Sequence, residues 1–376
     1  MKLAVPKETK LKENRVALTP DVVKDLVKKG FEVTVENGAG MNSFFSDEAY
    51  TAAGAQLVSD AKKLYSEADV VLKVNAPSPE EIAGMKKGAI LLSFLFAATN
   101  PGVVDACVKA GISAFSVDAI PRISRAQKMD ALSSQANLAG YKAVLMAANT
   151  IGKILPMMTT AAGTIRPTKI VIFGAGVAGL QAIATAKRLG AVVEVTDIRP
   201  ETKEQVESLG GKFIEVKGDA SVKIEGGYVK GVSEEFLKMQ QELVGKHVKE
   251  ADIVITTALI PGRKAPVLVT EEMVKSMKFG SVIVDMAVES GGNVVGSESN
   301  KTVVKNGVTI LGESNIPSLL PMNASDLYAK NIATFLVHLA DKDNFKWEME
   351  EEITKGSLIV HNGVAVHPSV AKTVNA

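Results

Sequence analysis

Cysteine is nearly missing from this 376-residue chain, with Cys107 as its one example. A single thiol rules out an intrachain disulfide and suits a reducing compartment. Histidine is also sparse. His247, His338, His361 and His367 are scattered, with neither an H-E-x-x-H spacing nor a Cys/His pairing, so no metal site is expected. An excess of one charge is lacking too: 43 Lys and Arg stand against 42 Asp and Glu. That balance offers no electrostatic case for nucleic acid or for an anionic membrane surface. Long apolar runs are absent. The most apolar stretches, such as residues 89–98, fall well short of the roughly 20 needed to span a bilayer. The opening MKLAVPKE has no signal-peptide pattern and leads directly into a strand-like segment. The polypeptide is therefore expected to be soluble by itself, with membranes entering only through a partner. What remains is ordinary globular composition, 46% apolar and 23% charged, in a chain long enough for two domains with separate cores.

The informative stretch is KIVIFGAGVAGLQAIATAKRLGAVVEVTDIR, from Lys169 to Arg199. Ile170, Val171, Ile172 and Phe173 form an apolar strand, followed at once by G-x-G-x-x-G at Gly174, Gly176 and Gly179. The first glycine permits a tight turn, the second lets the backbone approach a pyrophosphate, and the third lets the helix pack close on the strand. A helix from Val177 to Leu189, stopped by Gly190, aims its N-terminal amides and dipole at the phosphates. Asp197 closes the next strand, placed to accept hydrogen bonds from an adenosine ribose. A carboxylate there welcomes hydroxyls and repels a 2′-phosphate, which favours NAD(H) over NADP(H). Arg199 is the opposing sign, because a guanidinium can pair with that phosphate.

The first third alternates β-branched runs (residues 2–5, 32–36, 69–74, 90–94 and 112–117) with helical stretches at 20–29 and 47–53, a βαβ rhythm. Residues 130–151 read as one long helix leading between domains, and residues 155–167 as a helical and loop approach to the dinucleotide strand. After Asp197, strands are expected at 212–216, 252–256, 281–285 and 308–311, giving about six parallel strands. The connection over 217–250 is long for such a unit. Gly226, Gly227 and Tyr228 at its middle suggest a glycine-hinged lid, the alternative being a surface insertion. An amphipathic helix at 324–339 precedes a tail expected to return and complete the first sheet. The expected architecture is α/β: two Rossmann-like doubly wound parallel-sheet domains with a cleft between them, residues 1–135 plus 325–376 and residues 136–324.

Several stretches carry a family resemblance. VPKETKLKENRVALTP, with Arg15 and Pro20, and ADVVLKVNAP around Lys73 resemble the alanine dehydrogenase and pyridine nucleotide transhydrogenase superfamily. PRISRAQKMDALSSQANLAGYKAV, TTAAGT, DIRPETKEQVESLGGKFIEV, TTALIPGRKAPVL and VDMAVESGGN resemble the transhydrogenase branch, specifically the NAD(H)-binding soluble component of the proton-translocating enzymes. The resemblance implies that Arg122, Gln127, Asp130 and Ser133 lie across the nicotinamide, with Ile123 and Ser124 as further cofactor contacts. It implies that Gln127 reaches towards NADP(H) held by a partner subunit. Val177 and Ala178 would contact the cofactor in the glycine loop, Asp197, Ile198 and Arg199 its ribose and adenosine, and Gly227, Tyr228, Gln240 and Leu259 further parts. It also implies a homodimer on the cytoplasmic face of a bacterial inner membrane, joined to membrane-spanning and NADP(H)-binding subunits. The residue chemistry agrees, since hydride transfer between two nicotinamides needs placement rather than an acid or base. Without the resemblance, residues 121–133 read equally well as a surface turn and a helix N-terminus capped by Asp130.

Alanine dehydrogenase is the competing enzyme reading, because the residues matching Arg15 and Lys73 hold the substrate carboxylate in that branch. Oxidising an amino acid requires a proton-transfer group, and the histidine of its YLHLA-like motif is replaced here by Phe96 in FLFAA. Glu289 and Ser290 likewise depart from its VDIAIDQGG. Arg15 and Lys73 are then expected to serve as structural ion-pairing groups. A third possibility is an NAD(H)-binding sensor or assembly subunit without chemistry of its own.

Overall fold

The computed structural model describes residues 1–215, 223–225, 228–230, 234–259 and 264–370. It divides into two compact units, Met1–Gln135 with Pro317–Ala376, and Ala136–Ile316. Among the described residues no helix is long and apolar enough to cross a membrane.

In the first unit the strands are β1 (Lys2–Val5), β2 (Glu32–Glu36), β3 (Gln56–Val58), β4 (Val70–Asn75), β5 (Ile90–Phe94) and β6 (Ser113–Ser116), all parallel and ordered β3-β2-β1-β4-β5-β6. Successive side chains point to opposite faces, and both faces are covered: Leu3 and Val5 enter one apolar cluster while Ala4 enters the other. That double burial explains why these strands read as continuous apolar runs. Only β3 goes beyond the five strands expected here, and its three half-exposed residues offer too little apolar pattern to be legible.

The second unit begins with a surprise. Residues 155–167, expected as helix and loop, instead contain an exposed antiparallel hairpin, β7 (Met158–Thr160) and β8 (Gly163–Ile165). The β-branched Thr159, Thr160, Thr164 and Ile165 favour extended backbone, and Gly163 accepts a φ of +133° at the turn. The main sheet then uses β9 (Lys169–Phe173), β10 (Val192–Thr196), β11 (Lys212–Phe213), β14 (Ile253–Thr256), β15 (Val282–Asp285), β16 (Lys301–Lys305) and β17 (Val308–Gly312). Its order is β11-β10-β9-β14-β15-β17-β16. The first six of these are parallel, as expected. β16 adds an unforeseen antiparallel edge, with Lys301 and Lys305 at its ends and little apolar content to announce it. The long connection is not structureless: it holds the hairpin β12 (Lys223–Glu225) and β13 (Tyr228–Lys230) and the 17-residue helix Glu234–Glu250. Gly226 and Gly227, on which the lid expectation rests, lie outside the described residues.

The chain finally returns to the first sheet. The helix Pro321–Leu339 buries Tyr328, Ile332, Phe335 and Leu336 in its core, β18 (Leu358–His361) pairs antiparallel with β6, and β19 (Val364–Ala365) pairs with β18. Leaving those antiparallel edges aside, each unit has the 3-2-1-4-5-6 strand order of a doubly wound dinucleotide fold.

Within the second unit, packing behind the glycine loop is backbone on backbone. A Cβ at Gly140, in the helix Ala131–Thr150, would land on the Ala178 carbonyl. Alanine normally gains up to about 1 kcal/mol over glycine inside a helix, yet a fixed carbonyl cannot yield as a side chain does, and overpacking costs about 1–3 kcal/mol. Gly140→Ala should therefore lower the unfolding midpoint of the chain followed by far-ultraviolet circular dichroism. Gly102→Ala, where a Cβ meets nothing within 4 Å, should leave that midpoint unchanged or raise it.

Candidate functional site

The order of the second sheet reverses at β9, whose neighbours are β10 on one side and β14 on the other. Crevices at the carboxyl ends of such strands are where doubly wound sheets take ligands. Gly174 follows β9 with a φ of +99°, and its amide donates to the Thr196 carbonyl at 2.8 Å. A Cβ at Gly174 would meet Thr257 Oγ1, and one at Gly179 would fall on the Gly174 carbonyl, so the helix Val177–Arg188 sits directly on the loop. At Gly176 the situation is the opposite: a Cβ would meet nothing within 4 Å. The Gly176 N-cap supplies no side-chain hydrogen bond, which leaves the first amides of this helix facing that open side. Val177 is exposed beside them and Ala178 packs inward on Gly140.

Asp197 is almost wholly enclosed and its carboxylate works locally. Oδ2 accepts from the Ala175 amide at 2.7 Å, tying the end of β10 to the glycine loop. Oδ1 accepts from the Arg199 amide at 2.8 Å and Nε at 3.0 Å, while Oδ2 also takes an Arg199 guanidinium bond at 2.9 Å. Arg199, the residue that argued for a 2′-phosphate, is thus neutralised by the acid that argues against one. Ile198 lies between them, half-buried.

Sequence reasoning missed the support beneath the loop after β14. Thr257 Oγ1 donates to the carbonyls of Phe173 (3.0 Å) and Gly174 (3.3 Å). The exposed Leu259 is carried on a segment held by Asn293, whose side chain accepts from the Ala258 amide at 3.2 Å and donates to the carbonyls of Ala258 (3.0 Å) and Pro266 (2.8 Å). Asn293 is held in turn by Asp285, fully buried, whose carboxylate accepts from the amides of Ala287, Asn293 and Val294 and from Thr256 Oγ1. A buried carboxylate at the end of an apolar strand was the available signal. VDMAVESGGN contains both residues.

In the first unit, residues 124–129 form a 3-10 turn with Ala126 and Met129 buried, which leaves Arg122, Ser124 and Gln127 exposed and Ile123 half-buried. Gln127 makes no side-chain hydrogen bond to any described residue. Asp130 acts as a cap: Oδ1 accepts from the Ser133 amide at 2.8 Å and Oδ2 from Ser133 Oγ at 2.6 Å. Gly227 lies outside the described residues; Tyr228 opens β13, and Gln240 lies in the helix Glu234–Glu250.

The same reversal of strand order occurs at β1 and β4, but it is closed to a phosphate. Glu8 occupies the strand ends, accepting from the amides of Val74 (2.6 Å) and Asn75 (3.2 Å). Burial raises the Glu8 carboxyl, with Lys73 opposing. A cavity of about 270 Å³ next to it is lined by Glu8, Lys10, Lys73, Asn75 and Asn100. Lys73 Nζ reaches Glu81 at 2.9 Å and the Lys7 carbonyl at 3.3 Å. Arg15 pairs twice with Glu13, at 2.7 and 2.6 Å, and donates to Gln135 at 2.9 Å. Both cations thus have the ion-pair partners the sequence reading expects. Phe96 adopts a φ of +47°, remains half exposed and stacks on Phe94 at 5.7 Å, with its amide on Asp118.

Burial alone would raise the Glu13 carboxyl, but the hydrogen bonds and charge of Arg15, with a bond from Asn75, outweigh it and hold the group at about 2. A carboxyl depressed on folding stabilises the fold above its ordinary value of 4.5 and loses that contribution as pH falls towards about 2. Glu13→Gln should thus be less stable than the parent at neutral pH by about 3–5 kcal/mol, the penalty for breaking a buried pair. The gap should narrow steadily below pH 4.5, as read by denaturant unfolding with the sole tryptophan, Trp347, as the probe for this unit.

Two family models cover nearly all of the chain: Alanine dehydrogenase/PNT, N-terminal domain, over residues 4–139, and Alanine dehydrogenase/PNT, C-terminal domain, over residues 143–368. The chain is 53% identical over 379 residues to the separately encoded first portion of the NAD(P) transhydrogenase alpha subunit of Rhodospirillum rubrum, covering 98% of this chain and 99% of that one. Similarity to the alanine dehydrogenase of Bacillus subtilis is 32% over 380 residues, covering 99% and 94%. The crystal structure of transhydrogenase from Sinorhizobium meliloti superimposes with a TM-score of 0.89 at 47% identity, over 97% of this chain and 100% of that one. With both domain models matched in order and a relative alike from end to end, this chain belongs to the alanine dehydrogenase/pyridine nucleotide transhydrogenase family.

Proposed function

We propose that this chain is the NAD(H)-binding subunit of a proton-translocating transhydrogenase. It exchanges a hydride with NADP(H) on a partner subunit and works as a homodimer at the cytoplasmic face of a bacterial inner membrane. The observation that carries the reading is the open Gly176 beside an uncapped helix N-terminus, with Asp197 at the end of the adjoining strand. Its end-to-end likeness to transhydrogenase relatives selects the branch.

On this reading the amides of residues 176–178 take the pyrophosphate. Asp197, steered by Arg199, takes the adenosine ribose with Ile198 alongside, and its charge disfavours a 2′-phosphate. Gly227, Tyr228, Gln240 and Leu259 add further cofactor contacts. Arg122, Ile123, Ser124 and Ser133 hold the nicotinamide end, with Asp130 shaping the turn, and Gln127 projects towards the second cofactor. The two nicotinamides supply the chemistry: a hydride leaves C4 of one reduced ring and joins C4 of the other oxidised ring. No solvent proton is consumed, so this chain's residues need only align, exclude water and leave both oxidation states comparably bound. That demand suits an uncharged glutamine. Proton movement falls to the membrane subunits and reaches this chain through changes in how the nucleotide sites face each other.

The competing amino-acid dehydrogenase chemistry needs a proton carrier, and Phe96 offers an aromatic ring at the position where that branch has histidine.

The deciding assay follows reduction of an oxidised NAD analogue by NADPH, with the chain alone and mixed with an NADP(H)-binding transhydrogenase subunit. Turnover only in the mixture is expected; NADH formation from L-alanine by the chain alone would instead make it a dehydrogenase. Asp197→Ala should weaken NADH binding about tenfold or more, the scale of lost hydrogen bonds to a charged group, and unchanged binding would overturn the ribose assignment. Gln127→Asn should keep NADH affinity within a factor of about two while slowing hydride transfer in the mixture, because misplacement costs rate rather than binding.

A further inference from the structure

The turn that presents Gln127 is gripped on both sides, and both grips trace back to the helix Pro321–Leu339. On one side, Asn331 Nδ2 donates to the Lys128 carbonyl at 2.9 Å, while Asn331 Oδ1 accepts from Ser134 Oγ at 2.7 Å. About two helical turns further on, along the same face, His338 Nε2 lies 3.2 Å from Glu351 Oε2. The other oxygen of Glu351 lies 2.8 Å from the Arg125 guanidinium, which also donates to Glu352 at 3.2 Å. Glu351 Oε1 receives no aligned N–H, so its tie to Arg125 is Coulombic rather than directional. Glu351 is itself locked, since Oε2 accepts from the Thr354 amide at 2.8 Å and so caps the helix Glu352–Ser357.

We propose that Arg125, Glu351 and His338 form a positioning relay that fixes the Gln127 turn for hydride transfer. This rests on the transhydrogenase reading of Gln127. Arg125 is 54% exposed, and ion pairs in such settings add little to stability, so holding the fold together does not account for the convergence of charge on a six-residue turn. Placement does account for it. Gln127 has no hydrogen bond to a described residue to set its direction, so that direction is inherited from the backbone between Arg125 and Lys128. Transfer between two rings is steep in distance, a displacement of about 1 Å costing as much as a hundredfold.

The test uses the complex with the NADP(H)-binding subunit at saturating concentration, with NADH affinity and single-turnover hydride transfer measured separately. Arg125→Gln is expected to slow transfer about tenfold while NADH affinity stays within a factor of about two. Glu351→Gln should do the same, and the double variant should be no slower than the slower single, because both break one relay. Arg125→Lys, which keeps the charge, should recover part of the rate. Parental transfer in Arg125→Gln alongside slowed transfer in Gln127→Asn would overturn the relay and leave the transhydrogenase reading standing. Parental transfer in both would remove the role of Gln127 and the relay with it. Singles whose losses multiply in the double variant, or a matching loss of NADH affinity, would also overturn the relay.

Discussion

The second unit is organised around places where backbone meets backbone with no room for a side chain. The Gly174 carbonyl occupies the space a Cβ at Gly179 would need, and the Ala178 carbonyl occupies the space one at Gly140 would need. Two helices and a strand are thereby drawn together at one loop. The consequence is an asymmetry of crowding: the inner side of the loop is closed by Thr257 and by helix backbone, while the outer side, at Gly176, is open. A dipole aimed outward from a packed interior, with nothing capping it, is the arrangement that attracts an anion.

The two sheets repeat one strand order and put it to different uses. At the reversal point of the second, amides are left facing solvent and an acid sits at the neighbouring strand end. At the reversal point of the first, Glu8 fills the equivalent position and satisfies the strand-end amides itself. A carboxylate in that place excludes a phosphate by charge and by occupancy. Around it, Arg15, Lys73, Glu13 and Glu81 form buried pairs, which define geometry more than they add stability. Fold therefore does not decide function in these units; the residue at the end of the first strand does.

Support for the candidate site is indirect at each point. Asp285 never reaches the glycine loop but holds Asn293, which holds the segment carrying Leu259. Asp130 caps a helix and so orients the turn before it. Side chains whose own rotamers are locked by a second layer of hydrogen bonds hold position better than loops held by packing alone.

Much of this was legible in the sequence because its signals are local. Ile170 to Phe173, the three glycines and Asp197 lie within a single βαβ unit, where spacing along the chain is nearly spacing in space, and the apolar runs of the sheet strands follow from burial on both faces. The hairpin at Met158–Ile165, the edge strand at Lys301–Lys305 and the short Gln56–Val58 were not legible, since each is exposed or brief and makes little hydrophobic pattern. Family resemblance named Gln127, but neither motif nor spacing could link Arg125 to Glu351, more than two hundred residues away. Chain order alone specified the repeating βαβ unit, the glycine turn and the acid beside it, because these depend on neighbours along the backbone. Packing in three dimensions was needed for Asp197 to hold both Ala175 and Arg199, for Glu8 to close the first crevice, and for Asn293 and Asn331 to anchor distant turns. Hydrogen bonds and ion pairs are satisfied by whatever the fold brings within about 3 Å, and chain order carries no record of that.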